Sequence, residues 1–129
     1  MPDNAFLDAV RERGEYNGRE EAAVVSHAVL AVLGQHLGPH DAYRLATQLP
    51  DRPAGTLRAA SGNEPENLDA DTFCERVDRH TGRRPRTPRW DIHAVLSTLA
   101  DTLTPTERDL LRTRLPDSLG ALLDPQPPS

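Results

Sequence analysis

The sequence predicts an all-α fold, a compact helical bundle from two tandem copies of a roughly 55–60-residue multi-helix repeat related by a pseudo-twofold. Three observations predict it. Apolar residues recur at helical spacing, and no segment alternates with period two over a strand's length. The stretch from His27 to Leu57, HAVLAVLGQHLGPHDAYRLATQLPDRPAGTL, is written again without a gap from His93 to Leu123, HAVLSTLADTLTPTERDLLRTRLPDSLGALL. Under that offset of 66, residues such as Leu30/Leu96, Leu33/Leu99, Pro39/Pro105, Leu45/Leu111 and Asp51/Asp117 pair as identical types. Most of the matched residues are apolar or turn-forming, so the repetition preserves a folding plan and not a visible constellation of chemistry.

Each repeat reads as four helices. Asp3 or Asn4 is placed to cap the first, which carries Phe6, Leu7 and Val10 and stops at Gly14; the second copy reads Asp69 or Asp71, then Phe73, Val77 and Gly82. A longer helix follows from about Arg19 to Leu37, with a broad stripe of Val25, Val29, Leu30, Leu33 and Leu37; its copy runs from about Thr87 to Leu103, with Pro88 in its first turn. Gly38-Pro39 and Thr104-Pro105 break the chain, since proline is tolerated only in a first helical turn. Thr104 and Glu107 have the spacing of a capping box. The third helix buries Ala42, Leu45, Ala46 and Leu49, or Leu111 and Leu115, and ends at Leu-Pro-Asp, because the residue before proline disfavours helix. Asp51 and Asp117 are then expected to cap a short fourth helix carrying Leu57, or Leu119, Leu122 and Leu123.

These boundaries give one domain, 1–123, with repeat one at 3–58, a polar linker at 59–68 and repeat two at 69–123; 124–129, DPQPPS, is expected to be a disordered tail. A half-size repeat with a one-sided apolar face is marginal alone, so both should share one core.

All fifteen basic residues are arginine, and against 20 acidic residues they leave a net charge of -5, which argues against non-specific affinity for nucleic acid or anionic membrane. Cys74 is the single cysteine, so no internal disulfide forms. The N-terminus lacks an apolar segment of signal-peptide length, and no run approaches a membrane span. The expected location is the cytoplasm.

Candidate sites are few. His27 and His93 hold equivalent places, so a pseudo-twofold would bring two imidazoles together as cofactor or metal ligands, but a boundary histidine bonded to a carbonyl is the plainer reading. His36 and His40 are four apart, yet Gly38-Pro39 interrupts their helix. No metal or cofactor is expected. Ser26 beside His27 is no nucleophile–base pair, because helix neighbours point about 100° apart. Leu103 to Leu111 is similar to the opening of a helix-turn-helix, but Pro116 follows too soon and Ser118 to Leu123 offers no basic residue for phosphate. Arg83, Arg84, Arg86 and Arg89 make GRRPRTPR basic where the first copy reads EYNGREE; such a loop suits a phosphate or an acidic protein partner, with a solvated loop as the plainer reading. No phosphate loop and no paired carboxylates can be read, so an enzyme is not expected.

Phe6 to Val10, the Ala28-Val29-Leu30 helix and the Leu-Gly-Pro-His-Asp-Ala…Leu-Ala-Thr-Gln-Leu-Pro segment together resemble the bacterial domain-of-unknown-function family 2267, frequent in actinobacteria, over residues 4–123. The resemblance implies a small duplicated helical domain and supplies no activity, cofactor or catalytic residue. Function is therefore expected to be that of a non-enzymatic protein-interaction or stress-associated module, with a small-ligand-binding or regulatory protein having a pocket between the repeats as the alternative, and a weak helix-turn-helix-like nucleic-acid binder third. Oligomeric state, partner and ligand identity are not legible.

Overall fold

The computed structural model describes residues 3–82 and 87–124, and every regular element among them is helical. In chain order these are α1 (Asp3–Gly14), α2 (Arg19–Ala46), α3 (Asp51–Ala60), α4 (Ala70–Thr81), α5 (Pro88–Thr102), α6 (Pro105–Arg114) and α7 (Asp117–Gly120), closed by a 3-10 turn, Ala121–Leu123. α2 packs against α1, α3, α4 and α5, and α5 in turn holds α1, α4 and the terminal turn. The two apolar helices are therefore the centre, and the polar ones surround them. Residues from Phe6 to Leu123 join in one continuous hydrophobic cluster that includes Leu30, Leu33, Leu45, Leu96, Leu99, Leu111 and Leu115. Leu49 is the exception to the expected core, half-buried against the cluster's edge.

The breaks fall where glycine and proline demand. α2 loses helical geometry at Gly38, whose φ of 79° and ψ of 175° belong to a region that only glycine occupies without strain. Pro39 then has no N–H, so the carbonyl of Gln35 has no helical donor. The chain between α3 and α4 supplies one: Glu66 N–H donates to Gln35 O at 3.0 Å, and Asn67 N–H donates to His36 O at 3.3 Å. The segment expected to be a loose polar linker is thus strapped across the break, with Pro65 packed so close that a Cβ on Gly38 would sit 2.6 Å from its nitrogen. Ser61 and Leu68 are buried at its two ends.

His36 fastens the same place from inside. Its Nδ1 accepts from Leu68 N–H at 2.9 Å, which leaves the proton on Nε2, and Nε2 donates to Arg114 O at 2.6 Å, at the end of α6. Phe73 of α4 meets the ring edge-on. Arg114 itself reaches back to Asp41 at 2.7 Å. One imidazole, only 4 % exposed, joins α2, the linker and α6. The pair His36 and His40 is not a ligand set, since His40 is exposed and His36 spends both nitrogens on backbone.

The break between α5 and α6 is closed differently. Thr104 precedes α6 with an extended φ of -67°, but its hydroxyl caps no helical N–H, so the expected capping box does not form. Gln48 takes Thr104 instead: its Oε1 accepts from Thr104 N–H at 2.9 Å and its Nε2 donates to Thr104 Oγ1 at 3.3 Å. Glu107 is drawn to Arg44 at 2.6 Å. Arg108 supplies the missing donors to α5, bonding Ala100 O at 3.0 Å. Asp51 and Asp117 also correct the expectation, being the first residues of α3 and α7 and not their caps.

Two other termini form as the sequence predicts: Asp69 accepts from Thr72 N–H at 2.8 Å, and Gly82 ends α4 in the left-handed region. Thr87, expected only as the approximate start of α5, caps it by accepting from Trp90 N–H at 3.1 Å. The backbone N–H at Thr72 holds the Asp69 carboxyl below its ordinary pKa. The start of α5 is bolted to the end of α1, because Trp90 Nε1 donates to Gly14 O at 2.8 Å and the Tyr16 hydroxyl donates to the buried Asp91 carboxylate. A carboxylate in a first helical turn also suits the positive end of the helix dipole.

Candidate functional site

Among the described residues, the two histidines aligned by the repetition meet different fates. His93 is 4 % exposed and its Nε2 donates to Asp124 O at 3.1 Å, the carbonyl-bonded role expected of a boundary histidine. His27 is exposed and lines a cleft of about 240 Å³ between α1, α2 and α3. The cleft is built wholly from the first half, and His93 is not among its walls. No group of three or more His, Cys, Asp or Glu side chains suited to a metal ion occurs among the described residues.

The cleft follows from local sequence. Leu7 comes from α1; Ala23, Ser26, His27 and Leu30, spaced i, i+3, i+4 and i+7, share one broad face of α2; Arg52, Pro53 and Thr56 come from the first two turns of α3. α3 lies close to α2 at Gly34, where a Cβ would sit 2.6 Å from the carbonyl oxygen of Leu57. Beyond that contact the cleft is lined by the small side chains of Ala23, Ser26 and Thr56.

The walls are mainly apolar, with His27, Arg52 and Thr56 at the polar positions. Ser26 is the anomaly. It is 4 % exposed, and its Oγ is buried without a hydrogen-bond partner. Buried hydroxyls elsewhere on the central helices do not go without: Ser97 bonds His93 O at 2.7 Å and Thr98 bonds Ala94 O at 2.8 Å. A buried hydroxyl left unmatched costs about 1–3 kcal/mol, so one sitting in the wall of a cleft marks a place where a partner belongs.

The aligned positions of the second half are a built-in control. Where the first has Ser26, Pro53 and Thr56, the second has Ile92, Leu119 and Leu122, all buried. That exchange of small and polar for large and apolar was visible in the sequence and is the signal by which the cleft could have been found.

The remaining candidates contribute little. Arg83, Arg84 and Arg86 lie outside the described residues; Arg89 is exposed in the first turn of α5. Cys74 is half-buried, and burial raises its thiol pKa, which disfavours a reactive thiolate. No helix among the described residues is long and apolar enough to cross a membrane. In comparison with known proteins, the family model described as an uncharacterized conserved protein, DUF2267, matches residues 3–122. No curated protein matches the chain.

Proposed function

Since the chain belongs to the uncharacterized conserved protein family DUF2267, and membership supplies no chemistry, we propose from the geometry that it is a non-enzymatic protein that binds a small molecule in the α1–α2–α3 cleft. The observation that carries this reading is the buried, unpartnered Ser26 hydroxyl in a mainly apolar wall. Binding sites combine an apolar surface with a few placed polar groups, and a volume near 240 Å³ suits a ligand smaller than a typical drug. Binding and not catalysis is favoured because the Ser26 hydroxyl has no hydrogen-bond partner, so no base addresses it. We also read the two halves as one duplicated four-helix unit with a pseudo-twofold relation, supported by the gapless match and the common helix order, and a cytoplasmic location, supported by the single cysteine. On this reading the duplication kept one half as scaffold and opened the other.

The test is amide chemical-shift mapping with isovalerate, isovaleramide, indole and isobutylbenzene, each at millimolar concentration. At least one probe should shift the amides of Ser26, His27, Leu30 and Thr56, and the shifts should vanish in Ser26→Ile, which installs the residue aligned at position 92. If none of the four shifts those amides, the cleft is a packing defect and the proposal fails.

A second reading, a protein-interaction module docking an acidic partner on Arg83, Arg84, Arg86 and Arg89, is favoured by the exposure of Arg89 beside that arginine run. It predicts that replacing Arg83, Arg84 and Arg86 with Ser weakens binding of an acidic peptide such as poly-glutamate in a salt-sensitive way without changing thermal stability.

A further inference from the structure

Resting on the cleft as a ligand site, we propose that its ligand is a small branched aliphatic acyl compound whose carbonyl or carboxylate oxygen accepts from His27. The second half shows what the first half lacks. There, the 3-10 turn that carries Leu122 packs on α5, Ile92, Leu119 and Leu122 are all buried, and the chain then leaves the turn extended, at Asp124, to present its carbonyl to His93. Branched aliphatic groups fill the space, and one carbonyl oxygen satisfies the histidine.

In the first half both provisions are withdrawn. α3 continues as a regular helix to Ala60, so the first half has no counterpart of the extended turn that carries Asp124 to His93. Arg58, which the offset of 66 aligns with Asp124, has its carbonyl taken by Ser61, from the backbone N–H at 3.2 Å and from the hydroxyl at 2.8 Å. His27 is therefore not served as His93 is, and the positions of Ile92, Leu119 and Leu122 are held by the shorter Ser26, Pro53 and Thr56. What would restore the pattern is a molecule with a branched apolar body and a carbonyl oxygen. The Ser26 hydroxyl can bond the ligand's second polar atom, the other carboxylate oxygen or an amide nitrogen. The volume of about 240 Å³ suits a small acyl compound and not a drug-sized one.

Isovalerate and isovaleramide are compared with isobutylbenzene, which has a branched body and no oxygen, by amide-shift titration of the wild-type chain, His27→Leu and Thr56→Leu. The oxygen-bearing probes should bind more tightly than isobutylbenzene; His27→Leu should weaken them by about 3- to 10-fold, the worth of one hydrogen bond, and leave isobutylbenzene unchanged. Whichever of isovalerate and isovaleramide is tighter tells whether the natural ligand carries its oxygen as a charged carboxylate or a neutral carbonyl. Thr56→Leu should block all three probes, and it gives a second cleft-filling variant should Ser26→Ile fold poorly. If isobutylbenzene binds as well as the acyl probes, or His27→Leu leaves the acyl probes unaffected, the ligand assignment is overturned while the cleft remains a binding site. If no probe binds, both readings fall together.

Discussion

Replacing Gly38 with Ala tests whether the break in α2 is required by the packing around it. Two costs add. The backbone at φ 79° and ψ 175° lies where a side chain is strained, worth about 1–3 kcal/mol. The new Cβ would also lie 2.6 Å from Pro65 N and 2.8 Å from its Cδ, and overpacking of that kind costs about 1–3 kcal/mol more. A loss of roughly 2–6 kcal/mol is a large part of the roughly 5–15 kcal/mol that keeps a domain folded. Urea denaturation of wild type and variant measures it directly, and the melting temperature should fall by about 4 °C for each kcal/mol at this chain length. In a Pro65→Ala background the ring atoms are gone and the backbone strain is not, so part of the penalty should return as a coupling energy above about 0.5 kcal/mol. A Gly38→Ala variant within about 0.5 kcal/mol of wild type would show that the α2 break and the linker adjust freely, and the account of the strap would fail. The aligned Thr104 makes the same extended break at φ -67°, which any residue adopts, so Thr104→Ala should cost much less.

Three further outcomes are expected. His36→Phe retains the ring against Phe73 but strands Leu68 N–H and Arg114 O, and should lose about 2–5 kcal/mol in chemical denaturation; a loss below about 1 kcal/mol would mean that water replaces the ring nitrogens. Asp69 has a carboxyl pKa lowered from 3.8 by the Thr72 N–H, so its contribution is complete well above that value and is lost as pH falls through the lowered one; the stability gap between wild type and Asp69→Ala should close on acidification and persist at neutrality. Cys74, its thiol pKa raised by burial, should react with a disulfide reagent at mildly alkaline pH more slowly than free cysteine, and an equal rate would place it in solvent.

The parts of this fold that were legible in the sequence are those set by a residue's own covalent chemistry. Pro39, Pro105 and Pro88 can stand only in first turns, Gly38 and Gly82 take backbone angles that others avoid, and the Leu stripes on α2 and α5 have a single way to face a core. The failures lie where side chains chose among partners. Thr104 has the spacing for a capping box, but Gln48, 56 positions away, offers both a donor and an acceptor to the same residue. The role of His36 was not legible, because the residues that claim it, Leu68 and Arg114, are brought near only by the tertiary structure. The cleft lay between these cases. Ser26, Pro53 and Thr56 look ordinary one at a time, and only their alignment with Ile92, Leu119 and Leu122 marks them as missing volume.

The strap over the α2 break changes what the residues between α3 and α4 report. The amide hydrogens of Glu66, Asn67 and Leu68 belong to no helix, yet each is held by a carbonyl or ring nitrogen of α2. Their exchange with deuterium therefore waits on a separation of this segment from α2 and not on fraying of a solvent-exposed coil. A peptide covering these residues should retain hydrogen as long as the helices beside it, and a protease that cuts coil should find this segment only when the surrounding structure opens. The stretch with the least regular backbone thus serves as a clock for the opening of the central helix.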